Sequence, residues 1–165
     1  MRTPVRVAFV ALGAIVFVAG AHASQGPPRL TLLNAGLSVH HSWSHPLGAL
    51  AAAAGAVLLA AASPRRWARI IFHGLSALSV LVAIHLALYR VDADQSGLAS
   101  RGLLGGTRIP WGEVAGVDGD AGLVVVTGKD KRKIRVDTAD FRPEQRATLD
   151  RTIARRVRES SPAKD

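Results

Sequence analysis

The chain has 165 residues, with 21 Lys or Arg, 12 Asp or Glu and no cysteine. The lack of cysteine excludes disulfides, thiolate catalysis and cysteine-based metal sites. All the acidic residues lie after residue 89, whereas the earlier part carries six arginines beside long apolar runs. Much of the formal charge of +9 therefore comes from arginines beside the apolar runs, where such residues set the orientation of membrane helices. Because the positive charge has this explanation, we expect no nucleic-acid binding.

Residues 1–23 begin with two arginines, Arg2 and Arg6, followed by an unbroken apolar run from Val7 to Ala19. A basic start, a short apolar stretch and small residues at Ala21 and Ala23 are typical of a cleavable signal peptide. The same run also fits an uncleaved first transmembrane helix. The sequence leaves both alternatives open, and in either case it predicts that the chain emerges outside the cytoplasm after this segment.

Residues 24–45 are predicted to form an outer connecting loop, and residues 46–89 a transmembrane helical hairpin. The first helix of the hairpin, Pro46–Ala62, is rich in alanine, which favours close packing against the span that follows it. The second runs from Ile70 to Leu88 without a charged residue, enough to cross a bilayer.

Three arginines separate the two predicted spans: Arg65, Arg66 and Arg69. Arginines in a short turn between spans mark the cytoplasmic side of a membrane. The sequence therefore predicts a multi-pass protein of the cell (inner or plasma) membrane, with its C-terminal part outside the cytoplasm.

Residues 90–159 change to short β-like segments separated by glycine-rich turns, and end in an amphipathic helix. Leu149, Ile153 and Val157 recur every four residues in that helix, which predicts one buried stripe. We expect a small α+β domain of about five antiparallel strands and a C-terminal helix. Residues 160–165 are predicted to be a disordered tail.

Several motifs in this part resemble the bacterial pleckstrin-homology (PH-like) domain of small membrane proteins. They are Val91-Asp92-Ala93 with Gly97-Leu98, and the block Arg108-Ile109-Pro110-Trp111-Gly112-Glu113-Val114-Ala115-Gly116-Val117. The resemblance covers about residues 89–158. It implies a curved, partly open β-sheet closed by the helix, without catalysis. It also implies a cytoplasmic position, which many members of the family share and which conflicts with the threading predicted from charge.

Two groups of residues are candidate binding sites. A basic hairpin is predicted to meet anionic headgroups or an acidic partner, with a merely solvated turn as the alternative; its residues are Lys129, Lys131, Arg132, Lys133 and Arg135. Three histidines near the predicted outer face, His40, His41 and His45, are candidate ligands for zinc or copper, or a pH switch. The alternative is that they are ordinary polar loop residues.

The sequence predicts a non-enzymatic protein without a cofactor, because residues 90–165 contain neither histidine nor cysteine as catalytic base or nucleophile. We expect it to present the PH-like domain for docking to a protein or to the membrane surface. Its expected partners are the lipid bilayer and either a protein or anionic lipid headgroups. The alternatives are a metal- or pH-responsive membrane protein, and an accessory subunit of a larger membrane complex.

Overall fold

The computed structural model describes residues 3–26, 28–33, 36–120 and 122–160. The chain divides into a helical unit, Met1–Gly26 with His41–Ala87, and a β-rich unit, Pro27–His40 with Leu88–Asp165. The helical unit contains three helices, each long and apolar enough to cross a membrane by length and composition. These are α1 (Thr3–Ala23), α2 (Ser44–Ala62) and α3 (Arg66–Leu88). The predicted apolar helical region is confirmed.

Helices α1 and α2 pack through glycines spaced seven residues apart on both helices. Gly13 and Gly20 of α1 lie against Gly55 and Gly48 of α2, and a β-carbon at any of the four would come within 3.0 Å of opposing backbone. The alanine-rich helix was expected to pack closely on the span after it. Gly48 and Gly55 of this helix instead contact α1, because α1 also has two glycines seven residues apart. On α3, a β-carbon added to Gly74 would have no neighbour within 4 Å.

The β-rich unit contains eight strands among the described residues, arranged in two antiparallel sheets. One sheet has the order β1-β2-β3-β4-β5 and the other has the order β6-β7-β8. The strands are β1 (Arg29–Leu33), β2 (Gly36–His40), β3 (Arg90–Ala93), β4 (Gly97–Gly102), β5 (Gly105–Pro110), β6 (Val114–Asp120), β7 (Leu123–Gly128) and β8 (Lys133–Asp137). A 3-10 turn, Trp111–Glu113, follows β5, and the closing helix is α4 (Pro143–Ser160).

Two of these strands lie in residues 24–45, the segment predicted to be a connecting loop. Strand β2 pairs with β3, with Leu37 opposite Ala93 and Val39 opposite Val91. All four of these side chains are at most 2% exposed. The structure has eight strands instead of the predicted five partly because the hairpin formed by β1 and β2 joins the sheet. Its pairing with β3 connects residues that are about fifty positions apart in the sequence.

The domain core lies between the sheets and helix α4. Leu149 and Ile153 of α4 are buried and Val157 packs at the edge of the core, which is the stripe that the sequence predicts. Trp111 is also buried, and its indole Nε1 donates a hydrogen bond to the carbonyl oxygen of Asp94 at 2.8 Å. Trp111 therefore anchors the turn after β5 inside the core. Of the predicted tail, Ser160 ends α4, and residues 161–165 lie outside the described residues.

Candidate functional site

The basic hairpin, residues Lys129, Lys131, Arg132, Lys133 and Arg135, joins β7 to β8 and begins the latter strand. Lys131 has a φ of 68°, a left-handed conformation that tight turns require. Asp130 Oδ1 accepts a hydrogen bond from the backbone nitrogen of Arg132 at 3.0 Å. That bond is the main cause that lowers the pKa of the Asp130 carboxyl below its ordinary value. The turn therefore holds its own negative charge beside Arg132.

Two of the five predicted binding residues serve to hold the hairpin in place. Arg132 Nη1 donates to the carbonyl oxygen of Arg108 at 2.7 Å, and its guanidinium also pairs with Asp130 and Glu113. Lys129 Nζ donates to the carbonyl oxygen of Gly112 at 2.9 Å. These contacts fasten the hairpin to the chain at the end of β5 and just after it.

The other three basic residues, Lys131, Lys133 and Arg135, are exposed. In β8 the side chains alternate, so that Lys133 and Arg135 point away from the buried Ile134 and Val136. Among the described residues, none of the three basic side chains has a hydrogen-bond or ion-pair partner. They form a positive surface, called here the free basic patch, that is available to an anionic partner.

A second basic group lies on the five-stranded sheet, at the end opposite to the one where Arg132 contacts β5. It was not predicted from the sequence. Arg29 is opposite His40, His40 is opposite Arg90, and Arg90 is opposite Arg101 in the strand register. Residues in register share one face of a sheet, so these four form a row, called here the arginine row. No local pattern in the sequence reveals it, because each member comes from a different strand.

Arg90 and His40 of the arginine row each lie beside a polar side chain outside the row. Arg90 Nε lies 2.7 Å from Asp92 Oδ1. His40 Nε2 lies 3.1 Å from Thr31 Oγ1, so this predicted metal ligand is a strand residue with a hydroxyl neighbour. Arg29 and Arg101 are exposed, and neither has an ion pair among the described residues.

The structure brings together the other two histidines that were considered as metal ligands. His41 Nδ1 lies 3.2 Å from His45 Nδ1, and His45 is 7% exposed in the first turn of α2. Two nitrogens bound to one tetrahedral zinc ion would be about 3.3 Å apart, so the separation suits either a hydrogen bond or a shared ion. The four-residue spacing is visible in the sequence, and its significance was missed. No group of three or more potential ligands occurs within the described ranges.

The arginines that were used to predict the threading lie at one end of the helical unit. Arg65, Arg66 and Arg69 are exposed around the turn between α2 and α3. Arg6 of α1 donates a hydrogen bond from Nε to the carbonyl oxygen of Ala62, the last residue of α2, at 2.8 Å. The start of α1 and the end of α2 therefore lie side by side, which brings Arg6 to the end of the unit at which Arg65 and Arg66 follow α2.

Comparison with known proteins identifies the C-terminal part of the chain. Residues 89–159 match the model of the family described as a bacterial PH domain, which confirms the resemblance expected for residues 89–158. No curated protein and no solved structure matches the chain. The matched residues begin at the end of α3, so β1 and β2 lie outside the family match although they extend the same sheet.

Proposed function

We propose that this is a non-enzymatic, multi-pass membrane protein that holds a bacterial PH-like domain at the membrane surface and presents it to a protein partner. The proposal rests on one observation: each of the three apolar helices is directly connected to a strand of the five-stranded sheet. Strand β1 follows α1, β2 precedes α2, and β3 begins at Arg90, two residues after α3 ends at Leu88. The domain is therefore joined to the apolar helices at three points of the chain rather than by a single linker.

The pairing of β1, β2 and β3 in one sheet supports a topology with three membrane spans. An open sheet cannot lie within the hydrocarbon core, because its edge groups would have no hydrogen-bond partners there. Because β1, β2 and β3 are neighbours in one sheet, the end of α1, the start of α2 and the end of α3 would emerge on the same side. The start of α1 and the turn around Arg65 and Arg66 would then lie on the other side. Their positive charge favours the cytoplasm for that side, with the domain outside.

The free basic patch supports docking of an acidic protein segment. Arg132 and Lys129 fasten the hairpin to the end of β5, and β5 ends opposite Gly97, at the end of the sheet away from the arginine row. The hairpin is thus attached to the five-stranded sheet at the end away from the arginine row, and its residues Lys131, Lys133 and Arg135 remain exposed. Exposed charges attract a partner of opposite sign with a strong dependence on salt.

The topology can be tested by labelling single cysteines, because the chain has none of its own. Gln95 and Pro64 are both exposed; Gln95 lies in the turn between β3 and β4, and Pro64 lies in the turn between α2 and α3. We expect a membrane-impermeant maleimide to label Gln95→Cys in intact cells, and Pro64→Cys only after permeabilisation. The reverse result would place the domain in the cytoplasm, and labelling of both from one side would overturn the three-span topology.

Docking to a protein can be tested by photo-cross-linking of the full chain in cells. A photoreactive residue in place of Lys131 should form an adduct with a distinct protein, whereas the same residue in place of Asp118, an exposed residue of β6, should not. The adduct should disappear when Lys133→Gln and Arg135→Gln are added. Equal cross-linking at the two positions would refute protein docking through the patch.

A metal- or pH-responsive function is the second candidate, and the His41–His45 contact of 3.2 Å favours it. If it is correct, the purified full chain holds a transition-metal ion in fixed proportion that is lost in His41→Ala and His45→Ala. His73→Ala, a substitution on the exposed surface of α3, is the matched control. Absence of the ion from protein loaded with zinc or copper would remove the metal version of this candidate.

A further inference from the structure

The end of the five-stranded sheet that carries the arginine row is also the end at which the chain arrives from the helices. Arg29 begins the strand that follows α1, His40 ends the strand that precedes α2, and Arg90 begins the strand that follows α3. Arg101 lies opposite Arg90, in a strand that runs back towards this end. The row therefore crosses four neighbouring strands, about 4.8 Å apart.

The turn between β4 and β5 projects beyond the arginine row at the same end. Gly102 pairs with Gly105, which leaves Leu103 and Leu104 as the two residues of the hairpin tip. Leu104 is 100% exposed and Leu103 is 40% exposed. Exposed leucines at a tip have apolar surface in water and no packing partner within the domain, so they gain from entering an apolar environment.

The tip lies at the same end of the sheet as the start of β3. Arg90 is the second residue after Leu88, so the row lies about 7 Å of extended chain beyond the helix end. Strand β3 runs away from α3 and β4 returns, and Leu103 lies two residues past Arg101. The tip therefore lies about 7 Å beyond Arg101, at the end of the sheet where β3 begins.

We propose that this end of the sheet is a lipid-binding surface. The arginine row contacts anionic lipid headgroups, and Leu103 and Leu104 enter the boundary between headgroups and acyl chains. The occupant is the bilayer that the helices cross, so the inference rests on the proposed topology and names a second contact of the same domain. It assigns lipid to this end of the sheet and leaves the free basic patch for a protein.

Charge complementarity supports this assignment. Asp92 pairs with Arg90 at 2.7 Å, whereas Arg29 and Arg101 have no acidic partner among the described residues. Arg101 thus lies two residues before the exposed pair of leucines, and Arg29 adds a second uncompensated guanidinium group three strands away along the row. Arginine beside inserted apolar side chains is the combination that binds anionic membrane surfaces.

The experiment uses the full chain in proteoliposomes, with a polarity-sensitive fluorophore on a single introduced cysteine. Leu104→Cys places the probe at the proposed lipid-binding tip. Gln95→Cys places it in the hairpin turn at the other end of β4, as a matched control. We expect the Leu104 probe to emit at shorter wavelength, to resist quenching by aqueous iodide and to be quenched by nitroxide-labelled lipid. Iodide quenching equal to that of the Gln95 probe would overturn the proposal.

The headgroup contact is tested by comparing vesicles of phosphatidylcholine alone with vesicles that contain phosphatidylglycerol. Shielding of the Leu104 probe should increase with the anionic lipid, and Arg29→Gln with Arg101→Gln should abolish that increase. Lys131→Gln with Lys133→Gln, in the basic hairpin of the three-stranded sheet, should leave it unchanged. A Leu104 probe shielded equally in both kinds of vesicle would refute the role of the arginine row.

Two further outcomes separate the sources of failure. A probe shielded in native membranes and exposed in proteoliposomes would show that a protein covers the tip, and would overturn lipid binding. If the topology itself is wrong, the Pro64→Cys and Gln95→Cys labelling patterns fail. The lipid proposal can fail while those patterns hold, so the two failures are distinguishable.

Discussion

Gly20 and Gly48 contact each other so closely that a β-carbon added to Gly20 would lie 2.5 Å from the carbonyl oxygen of Gly48. The contact is reciprocal, because a β-carbon on Gly48 would lie 2.8 Å from the carbonyl oxygen of Gly20. Gly13 and Gly55 repeat it seven residues away along the helices. In lipid, the hydrophobic effect does not favour contact between two helices over contact between a helix and lipid. Close packing of this kind is therefore the main source of helix association there.

Substitution of these glycines should loosen the α1–α2 pair. In Gly20→Ala or Gly55→Ala the new methyl group meets backbone, which cannot move aside as a side chain can, so we expect a loss of about 1–3 kcal/mol. Gly74→Ala on α3 is the matched control, since nothing lies within 4 Å of its β-carbon position. Thermal unfolding of the full chain in detergent measures the difference, and equal melting temperatures would contradict the packing.

The same contact predicts that the first helix is retained. Cleavage after Ala23 would remove the partner of α2 and leave the groove around Gly48 and Gly55 without its complement. We therefore expect mass spectrometry of protein extracted from membranes to detect peptides of α1 that contain Gly13 and Gly20. A product that begins at Ser24 would show that the segment is a signal peptide.

The hairpin formed by β1 and β2 should be necessary for the stability of the PH-like domain. Leu37 is 1% exposed, and truncation of a buried leucine costs about 2–5 kcal/mol. Leu37→Ala should therefore increase proteolysis within residues 90–159, although the substitution lies in another part of the sequence. Leu32→Ala is the control because Leu32 is 70% exposed. Unchanged protection of the domain in Leu37→Ala would mean that the hairpin is dispensable.

Acidification should weaken the turn between β3 and β4 through Asp94. Hydrogen bonds to its carboxylate, first of all from the Ser96 hydroxyl, lower the pKa of Asp94 below its ordinary value of 3.8. A lowered folded-state pKa means that this stabilisation is complete above pH 3.8 and is lost as the pH falls through the folded-state value.

The matching experiment compares melting temperature against pH for the wild type, Asp94→Asn and Asp118→Asn. Asp94→Asn should lower the melting temperature at neutral pH and reduce the loss on acidification below pH 3.8. Asp118, exposed on β6, serves as the control and should behave as the wild type does. Parallel curves for all three proteins would show that the Asp94 contacts contribute nothing.

The basic hairpin should separate into structural and exposed members. Arg132→Gln removes the donor to the Arg108 carbonyl at 2.7 Å and leaves Glu113 and Asp130 without their guanidinium partner, so it should lower stability by about 1 kcal/mol. Lys133→Gln on the same strand should change stability by less than about 0.5 kcal/mol. Chemical denaturation of the full chain, monitored by tryptophan fluorescence, distinguishes them. Equal effects would mean that Arg132 is also only a surface charge.

The amino-acid sequence determined the features that depend on local composition and period. Long uncharged runs predicted the apolar helices, and the stripe through Leu149 and Ile153 predicted the buried face of α4. The block around Trp111 led to the bacterial PH domain, which the family match confirmed. Each of these signals is contained within a few helical turns or one strand, where the residues themselves fix which side is apolar.

Only the tertiary structure decided which distant segments are neighbours. The pairing of Val39 with Val91, the contact of Gly20 with Gly48 and the row from Arg29 to Arg101 join residues that no local pattern connects. It also separated Arg132, which is bound to neighbouring backbone, from the exposed Lys133. The physical reason is that strand register and helix contact depend on the packing of the whole chain, since side chains of similar local pattern find their partners only when the complete fold brings them together.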